Sequence, residues 1–232
     1  MVLTINNKEY CDNSQEANEN SIFVYSKTTE QYIQDAKKNG CVEFIKSIEL
    51  KNHVDFSSIA IVGITGTNGK TSVSQFIAQG LEFLGHACGV IGTLGVGRID
   101  ALQHTGMTTP DPISMQKILA NFCEQGMKYV VVEASSHALA QGRLNSITVD
   151  VAALTNLSRD HLDYHGDMEN YSAAKSRLFD FVSVKTAVLN SADDLGQELI
   201  STLEERKNVD VQTYARSIVA NTDFQAETIQ MT

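Results

Sequence analysis

The stretch Ile59-Ala60-Ile61-Val62-Gly63-Ile64-Thr65-Gly66-Thr67-Asn68-Gly69-Lys70-Thr71-Ser72 decides the fold of this chain. A mainly β-branched apolar run gives way to a glycine-rich turn that ends in Gly-Lys-Thr. In such a turn the glycines let backbone N–H groups face an anion, the lysine adds positive charge, and the next hydroxyl can reach Mg²⁺. We predict a nucleotide-phosphate loop formed by Gly66, Thr67, Asn68, Gly69, Lys70, Thr71 and Ser72.

The residues after this loop predict an amphipathic helix. Its apolar face would consist of Val73, Phe76, Ile77, Leu81 and Leu84, which recur at helical spacing. The glycine spacing, with Gly63 and Gly66 upstream, differs from the common phosphate-loop pattern. The alternative is a strand-to-helix turn that binds nothing, but Gly-Lys-Thr between a buried strand and such a helix favours phosphate binding.

The composition is that of an ordinary globular chain, with 232 residues and 42% hydrophobic content. A net charge of −10 disfavours nucleic-acid partners and anionic membranes. The four cysteines lack C-x-x-C spacing, which argues against a zinc site and a disulfide framework. No apolar run is long enough to span a bilayer, and the start of the chain does not resemble a signal peptide. We therefore expect a cytoplasmic protein and a monomer.

The chain divides near residue 57 into two parts. Residues 1–57 predict a small α/β module, with strands at Ser21–Tyr25 and Val42–Ile45 and a helix at Thr29–Asn39. Residues 58–232 alternate apolar strands with helices, which indicates a mostly parallel, doubly wound α/β sheet covered on both faces. The strands are expected at 87–91, 129–133, 149–155, 186–190 and 211–214, and the helices at 112–125, 168–182 and 195–206. The tail from Asn221 has no stop signal, so the domain is expected to be incomplete there.

The strand ends of this sheet bear the candidate chemistry, because ligands gather at the carboxyl ends of parallel strands. Glu133 closes the strand at 129–133 and is placed to bind the metal of a nucleotide, or alternatively to cap the next helix or pair with a surface lysine. The loop at 156–166 contains two histidines, two aspartates and an arginine, a density typical of metal or substrate sites. Lys175 on the following helix reads, by position alone, as a solvated lysine.

Taken together, these motifs resemble the Mur ligases, ATP-dependent enzymes of peptidoglycan precursor synthesis, and most closely the MurE type. The strings that carry the resemblance lie between about residues 59 and 195 in the order of the family: GTNGKT (66–71), TTP (108–110), EASSHAL (133–139), NLSRDHLDYHGDMENY (156–171) and AAKSRLF (173–179). The resemblance implies a reaction in which ATP phosphorylates the terminal carboxylate of UDP-MurNAc-L-Ala-D-Glu. An amino acid, meso-diaminopimelate or L-lysine, then attacks the acyl phosphate.

The resemblance also implies roles for individual residues. Lys70, Glu133, His161 and Lys175 would be catalytic, and Mg²⁺ would be held by Thr71, Glu133, His161 and Lys175, the last as a carbamate. The UDP-sugar peptide would contact Ser14, Thr108, Thr109, Ser135, Gln141 and Arg143. Arg143 is a natural partner for the D-glutamyl carboxylate.

The sequence departs from the family in three places. The N-terminal module, taken as the UDP-binding module, is short, Met107 replaces a frequent Asn, and the C-terminal domain of the family has no counterpart in these 232 residues. We therefore expect these residues alone to lack ligase activity. The alternatives are a folylpolyglutamate synthase-like ligase, disfavoured by the RDHLDYHG loop, and a phosphate-loop nucleotide-binding module without ligase chemistry.

Overall fold

The computed structural model describes residues 2–5, 8–52, 56–216 and 222–226, which form two sheets. The smaller sheet and its helix comprise β1 (Val2–Ile5), β2 (Lys8–Cys11), β3 (Ser21–Tyr25), α1 (Ile33–Lys38) and β4 (Glu43–Lys46). The larger sheet contains β5 (Ala60–Thr65), β6 (Cys88–Gly92), β7 (Gly95–Gly97), β8 (Tyr129–Glu133), β9 (Val151–Leu154), β10 (Thr186–Asn190), β11 (Asp210–Ala215) and β12 (Phe224–Gln225). Its helices are α2 (Lys70–Phe83), α3 (Pro112–Glu124), α4 (Ser136–Gln141), α5 (Leu162–His165), α6 (Met168–Ser176) and α7 (Asp194–Glu204).

The large sheet has the strand order β12-β11-β10-β9-β5-β8-β6-β7 and is parallel except for the β6–β7 pair. The small sheet has the order β1-β2-β3-β4, with only β1 and β2 antiparallel. The predicted α/β class with a mostly parallel sheet is confirmed. In the described part of the chain, every helix is too short or too polar to cross a bilayer.

The central strands of the large sheet are buried on both faces, which explains their continuous apolar sequences. In β8 the side chains of Val130 and Val132 pack into a cluster with Met115, Leu119 and Phe122 of α3, whereas Val131 packs with Ala78 of α2. Successive residues of a strand point to opposite faces, so a strand covered on both sides needs apolar residues throughout. The central strand β5, which leads into the phosphate loop, lies between β8 and β9.

The predicted apolar face of α2 is partly wrong. Phe76 is 70% exposed and Leu84 is 69% exposed, whereas the buried residues of this helix are Ser74 and Ala78. Small side chains let the helix approach the sheet closely, and this centres the contact on Ser74 and Ala78, leaving Phe76 on the far side. Leu84 lies just past the last helical residue, where the chain turns towards β6.

Other boundaries differ from the sequence expectations by a few residues. The helix expected at 168–182 ends at Ser176, and a 3₁₀ turn at Arg177–Asp180 follows because it directs Leu178 and Phe179 into the core. The helix expected at 29–39 consists of a 3₁₀ turn followed by α1. The sequence analysis missed β1, β2, β7, β12, α4 and α5. Residues 53–55 of the expected boundary, and residues 217–221 and 227–232 around the tail, lie outside the described residues.

The two sheets meet at α3 through an apolar contact and a pair of carboxyl groups. Ile113 of α3 packs with Tyr10, Ile22, Val24 and Leu50 of the N-terminal part. Beside this contact, Asp12 is hydrogen-bonded to Asp111, the N-cap residue of α3. Burial raises the pKa of Asp12 to about 6, and the negative charge of Asp111 adds to the rise. Below about pH 6 the two carboxyl groups therefore share a proton across the contact.

The free energy of unfolding should depend on pH through this shared proton. The pKa of Asp12 in the folded chain, about 6, lies above its unfolded value of 3.8, so the stabilising contribution is complete below the unfolded value and is lost as the pH rises through about 6. We expect urea unfolding to show a loss of stability between pH 5 and 7.5 that Asp12→Asn reduces, because an amide donates a hydrogen bond at either pH. The same pH dependence in both proteins would contradict this assignment.

Candidate active site

The phosphate loop links β5 to α2 and depends on two glycines with left-handed backbone. Gly66 has φ 144° and Gly69 has φ 85°. A Cβ atom at Gly66 would collide with the hydroxyl of Thr155. The Lys70 ammonium donates hydrogen bonds to the carbonyl oxygens of Gly66 at 2.8 Å and Thr67 at 3.0 Å, and burial lowers the pKa of Lys70. The loop thus holds a cation at the start of a helix, where a phosphate group would bind.

Gly66→Ala should destabilise the chain by at least about 1–2 kcal/mol, because the new Cβ meets both the left-handed backbone and Thr155. The matched control is Gly80→Ala in the exposed part of α2, where an added Cβ meets nothing within 4 Å. That variant should gain about 0.5–1 kcal/mol of helix propensity. Urea unfolding of both variants measures the difference, and equal stabilities would contradict the predicted strain at Gly66.

Glu133 lies at the end of β8, 1% exposed, and receives hydrogen bonds from three hydroxyl side chains. Thr71 Oγ1 donates to Oε2 at 2.9 Å, Thr93 Oγ1 donates to Oε2 at 3.0 Å, and Ser74 Oγ donates to Oε1 at 3.5 Å. The backbone N–H of Thr93 adds a bond to Oε1 at 3.1 Å. The alternative role as a helix cap is wrong, because Ser135 caps the next helix. The sequence analysis missed Thr93, although its place directly after β6 is a strand-end signal.

The oxygen donors around Glu133 suit magnesium that also binds a nucleotide. Mg²⁺ usually takes one or two protein carboxylates and completes its octahedron with water and phosphate oxygens. Glu133 and the Thr71 hydroxyl border one cavity with the phosphate loop, which matches that requirement. Across the described residues, no three His, Cys, Asp or Glu side chains converge to hold a metal ion by themselves. A closed, all-protein metal site does not fit these residues.

The loop after β9 braces the phosphate loop. Thr155 Oγ1 donates to the Asn68 carbonyl at 2.6 Å, and the Asn156 side chain both accepts from and donates to the backbone of Asn68, at 3.1 and 3.0 Å. Thr67 Oγ1 lies 3.1 Å from the Ser158 carbonyl and 2.9 Å from its N–H. The sequence analysis did not assign Thr155 and Asn156 this supporting role. Their position at the end of a neighbouring strand was the available signal.

Lys175 is 1% exposed, so the solvated-lysine alternative is wrong. Its ammonium lies 4.3 Å from the centre of the Tyr171 ring, one helical turn earlier. The hydroxyl of Tyr171, itself buried, lies 3.1 Å from Thr67 Oγ1 in the phosphate loop. Burial, followed by repulsion from Lys70, lowers the pKa of Lys175 to about 7. The side chain is therefore a buried amine that is partly neutral near physiological pH.

Three imidazole rings cluster between α4 and α5. His137 lies 5.0 Å from the ring of His161 and 5.4 Å from that of His165, measured between ring centroids. His161 and His137 line the same cavity as the phosphate loop. Burial and the neighbouring imidazoles lower the pKa values of His137 and His165. His137 was missed as a cavity residue, although it belongs to the EASSHAL string.

A single cavity of about 550 Å³ contains most of the residues that the sequence singled out. It is lined by Thr67, Asn68, Gly69, Lys70, Thr71, Ser72, Thr93, Met107, Thr108, Thr109, Glu133, Ser135, His137, Arg143 and His161. Thr109 Oγ1 joins the two sides, because it donates to the Glu133 carbonyl at 2.6 Å and accepts from the Ser135 N–H at 3.1 Å. Phosphate-binding and substrate-binding candidates therefore open onto the same space.

Four predicted site residues do not line this cavity: Ser14, Gly66, Gln141 and Lys175. Gln141 contacts it indirectly, through a 2.7 Å hydrogen bond from Arg143 Nε, and Lys175 is buried next to Tyr171. Ser14 lies in the N-terminal part, where its carbonyl accepts a 2.8 Å hydrogen bond from Asn39. Ser14 is therefore not among the described residues that line the cavity with the other candidates.

Comparison with known proteins gives the same family as the motifs. The profile of the Mur ligase middle domain matches residues 64–232. UDP-N-acetylmuramoyl-L-alanyl-D-glutamate–2,6-diaminopimelate ligase of Pseudomonas putida is 52% identical over 150 residues, which are 65% of this chain and 30% of that protein. A solved structure of a ligase with the same name superposes with a TM-score of 0.78 and 31% identity, and the match covers 93% of this chain and 50% of the other. The resemblance to Mur ligases of the MurE type is confirmed.

The fold is also shared with the first alternative. The folylpolyglutamate synthase of Mycobacterium tuberculosis superposes with a TM-score of 0.57 over 74% of this chain and 47% of its own, at 18% identity. Such low identity shows a common fold only. This chain spans about half the length of the ligase structure that it matches at 31% identity.

Proposed function

The chain belongs to the Mur ligase family, and from this premise we propose that it forms the ATP- and substrate-binding part of a MurE-type amide ligase. The ligase would add an amino acid to UDP-MurNAc-L-Ala-D-Glu in the cytoplasm, as a monomer. The relatives are named as diaminopimelate ligases, which favours diaminopimelate over lysine. Residues 1–57 would be the UDP-binding module and residues 58–232 the ATP-binding domain.

One observation supports this proposal above the others: a single cavity is lined by a phosphate loop, a buried carboxylate and an arginine. Transfer of phosphate from ATP to a carboxylate requires both groups in one space, because the attacking oxygen and the γ-phosphorus must approach in line. Lys70 and Glu133 suit the nucleotide end, and Thr108, Thr109 and Arg143 suit the other. A site that only hydrolysed nucleotide would need no second set of donors.

The proposed reaction has two steps. A carboxylate oxygen of the D-glutamyl residue attacks the γ-phosphorus of ATP, and ADP leaves. The amine of the incoming amino acid then attacks the acyl carbon, phosphate leaves, and the amine loses a proton. Lys70 neutralises charge on the transferring phosphoryl group, and Arg143 orients the carboxylate through paired hydrogen bonds. Magnesium, held by Thr71 and Glu133 and at a second position by His161, would supply further neutralisation of the phosphate oxygens.

Lys175 is proposed to act as a carbamate. A carbamate forms when a neutral amine attacks the carbon of CO₂ and loses a proton, which turns a cation into an anionic oxygen ligand. The lowered pKa of Lys175, about 7, supports this step because it leaves neutral amine available near neutral pH. A buried cation beside Lys70 would otherwise add unfavourable positive charge to the site.

Calorimetric titration of this chain with UDP-MurNAc-L-Ala-D-Glu tests the proposed function. We expect saturable binding, and weaker binding of UDP-MurNAc, which lacks the dipeptide carboxylate that Arg143 would hold. Titration with ATP and Mg²⁺ in parallel tests the nucleotide end. Binding of ATP without any binding of the UDP-linked dipeptide would contradict the ligase and favour a plain nucleotide-binding module.

A further inference from the structure

Three hydrogen bonds connect helix α5 to the substrate side of the cavity. Gln141 Nε2 donates to the Tyr164 hydroxyl at 3.1 Å, and Arg143 Nε donates to Gln141 Oε1 at 2.7 Å. Arg143 Nη1 then donates to the Thr109 carbonyl at 2.9 Å. The chain of bonds thus runs from Tyr164, which does not line the cavity, to Arg143 and Thr109, which do.

Arg143 determines which way the Gln141 amide faces, and the Tyr164 hydroxyl holds the other end of the amide in place. Arg143 can only donate hydrogen bonds, so the carbonyl end of the amide must face Nε. The NH₂ end then needs an acceptor, and the Tyr164 hydroxyl provides it. A reversed amide would place its NH₂ group against the Nε–H of Arg143, which is a repulsive arrangement. Without the hydroxyl, the amide keeps its bond to Arg143 but loses the hydrogen bond that anchors its NH₂ end.

The Tyr164 ring is fixed by neighbouring rings and not by burial. Its centroid lies 4.1 Å from that of His137 and 4.8 Å from that of His165, while the side chain is 45% exposed. Partial exposure means that the hydroxyl can be removed at little cost to folding, and phenylalanine retains the ring contacts. The residue therefore permits a test of orientation separate from a test of stability.

We propose that Tyr164 is a positioning residue, which anchors Gln141 and through it holds the guanidinium of Arg143 in place to receive the carboxylate of the UDP-linked dipeptide. This inference rests on the proposed function. It assigns a task to an exposed tyrosine that neither phosphate binding nor metal binding uses.

Tyr164→Phe should weaken binding of UDP-MurNAc-L-Ala-D-Glu to this chain about three- to tenfold, the effect of one lost hydrogen bond. Binding of ATP with Mg²⁺ should stay unchanged, because the phosphate loop takes no part in the bond network. The control is Tyr129→Phe, the same chemical change at the start of β8. Tyr129 lies at the amino end of this strand, whereas the cavity lies at its carboxyl end. Calorimetry gives both affinities, and thermal unfolding shows whether each variant is folded.

A double-mutant cycle with Gln141→Ala distinguishes positioning from direct contact. If Tyr164 acts through Gln141, the double variant should bind the UDP-linked dipeptide as weakly as Gln141→Ala alone. Additive losses would overturn the inference, as would full affinity of Tyr164→Phe or an equal loss of ATP binding. If the unchanged chain fails to bind the UDP-linked dipeptide, the proposed function fails, and the inference falls with it.

Discussion

Lys70→Ala should weaken binding of ATP with Mg²⁺ to this chain by at least about tenfold. A charge-assisted hydrogen bond to phosphate is worth about 1.5–3 kcal/mol, which corresponds to roughly 10- to 150-fold in affinity. The ammonium of Lys70 already lies within the loop, 2.8 Å from the Gly66 carbonyl, so it needs little reorganisation to meet a phosphate. Titration calorimetry at fixed salt concentration measures the change.

The matched control is Lys128→Ala, which removes an exposed lysine just before β8. That variant should bind ATP as the unchanged chain does, because the lost charge lies at the amino end of β8, whereas the cavity lies at its carboxyl end. Equal affinities of Lys70→Ala and the unchanged chain would remove the basis for the phosphate loop. A similar loss in both variants would indicate a general effect of net charge instead.

The part of the site that sequence reasoning predicted lies next to strand ends. Glu133 and the loop at 66–72 directly follow apolar runs, and in a parallel sheet the ends of such runs converge at one edge. Local pattern is enough for these residues because the strand itself fixes their position. Thr93 directly follows β6 and therefore has the same strand-end signal.

The remaining features depend on contacts between residues far apart in the chain. The bond between Thr67 and Tyr171 spans 104 positions, and that between Asn68 and Asn156 spans 88. No local pattern encodes such pairs. Burial of Lys175 also follows from long-range packing, although Tyr171, Ala174 and Lys175 occupy one helical face and form a buried stripe. The presence of Lys175 on the same helical face as Tyr171 and Ala174 was the available signal that this lysine is buried.

Sequence periodicity also failed to predict the orientation of α2 and the presence of α4 and α5. Helical spacing predicts Phe76 on the apolar face of α2, but periodicity does not give the rotation of that face relative to the sheet. That rotation is set by where the helix can approach the sheet most closely, and here the small residues Ser74 and Ala78 allow it. The short helices α4 and α5 escaped detection because four to six residues contain too little periodicity to distinguish a helix from a turn.

Lys175→Met, in a ligase that contains this chain, should lower formation of the tripeptide product by at least about a hundredfold, and added bicarbonate should not restore it. Methionine keeps most of the buried apolar stem but lacks the amine over the Tyr171 ring and forms no carbamate, so the loss would arise from the missing anionic ligand. A second measurement applies to this chain itself: ¹³C-bicarbonate should give a carbamate signal that Lys175→Met abolishes and Lys128→Ala retains. Because the pKa of Lys175 is about 7, a rise of pH through this value should strengthen the signal, since neutral amine is the reacting form. Wild-type turnover in Lys175→Met, or an unchanged carbamate signal, would show that Lys175 is a buried structural lysine.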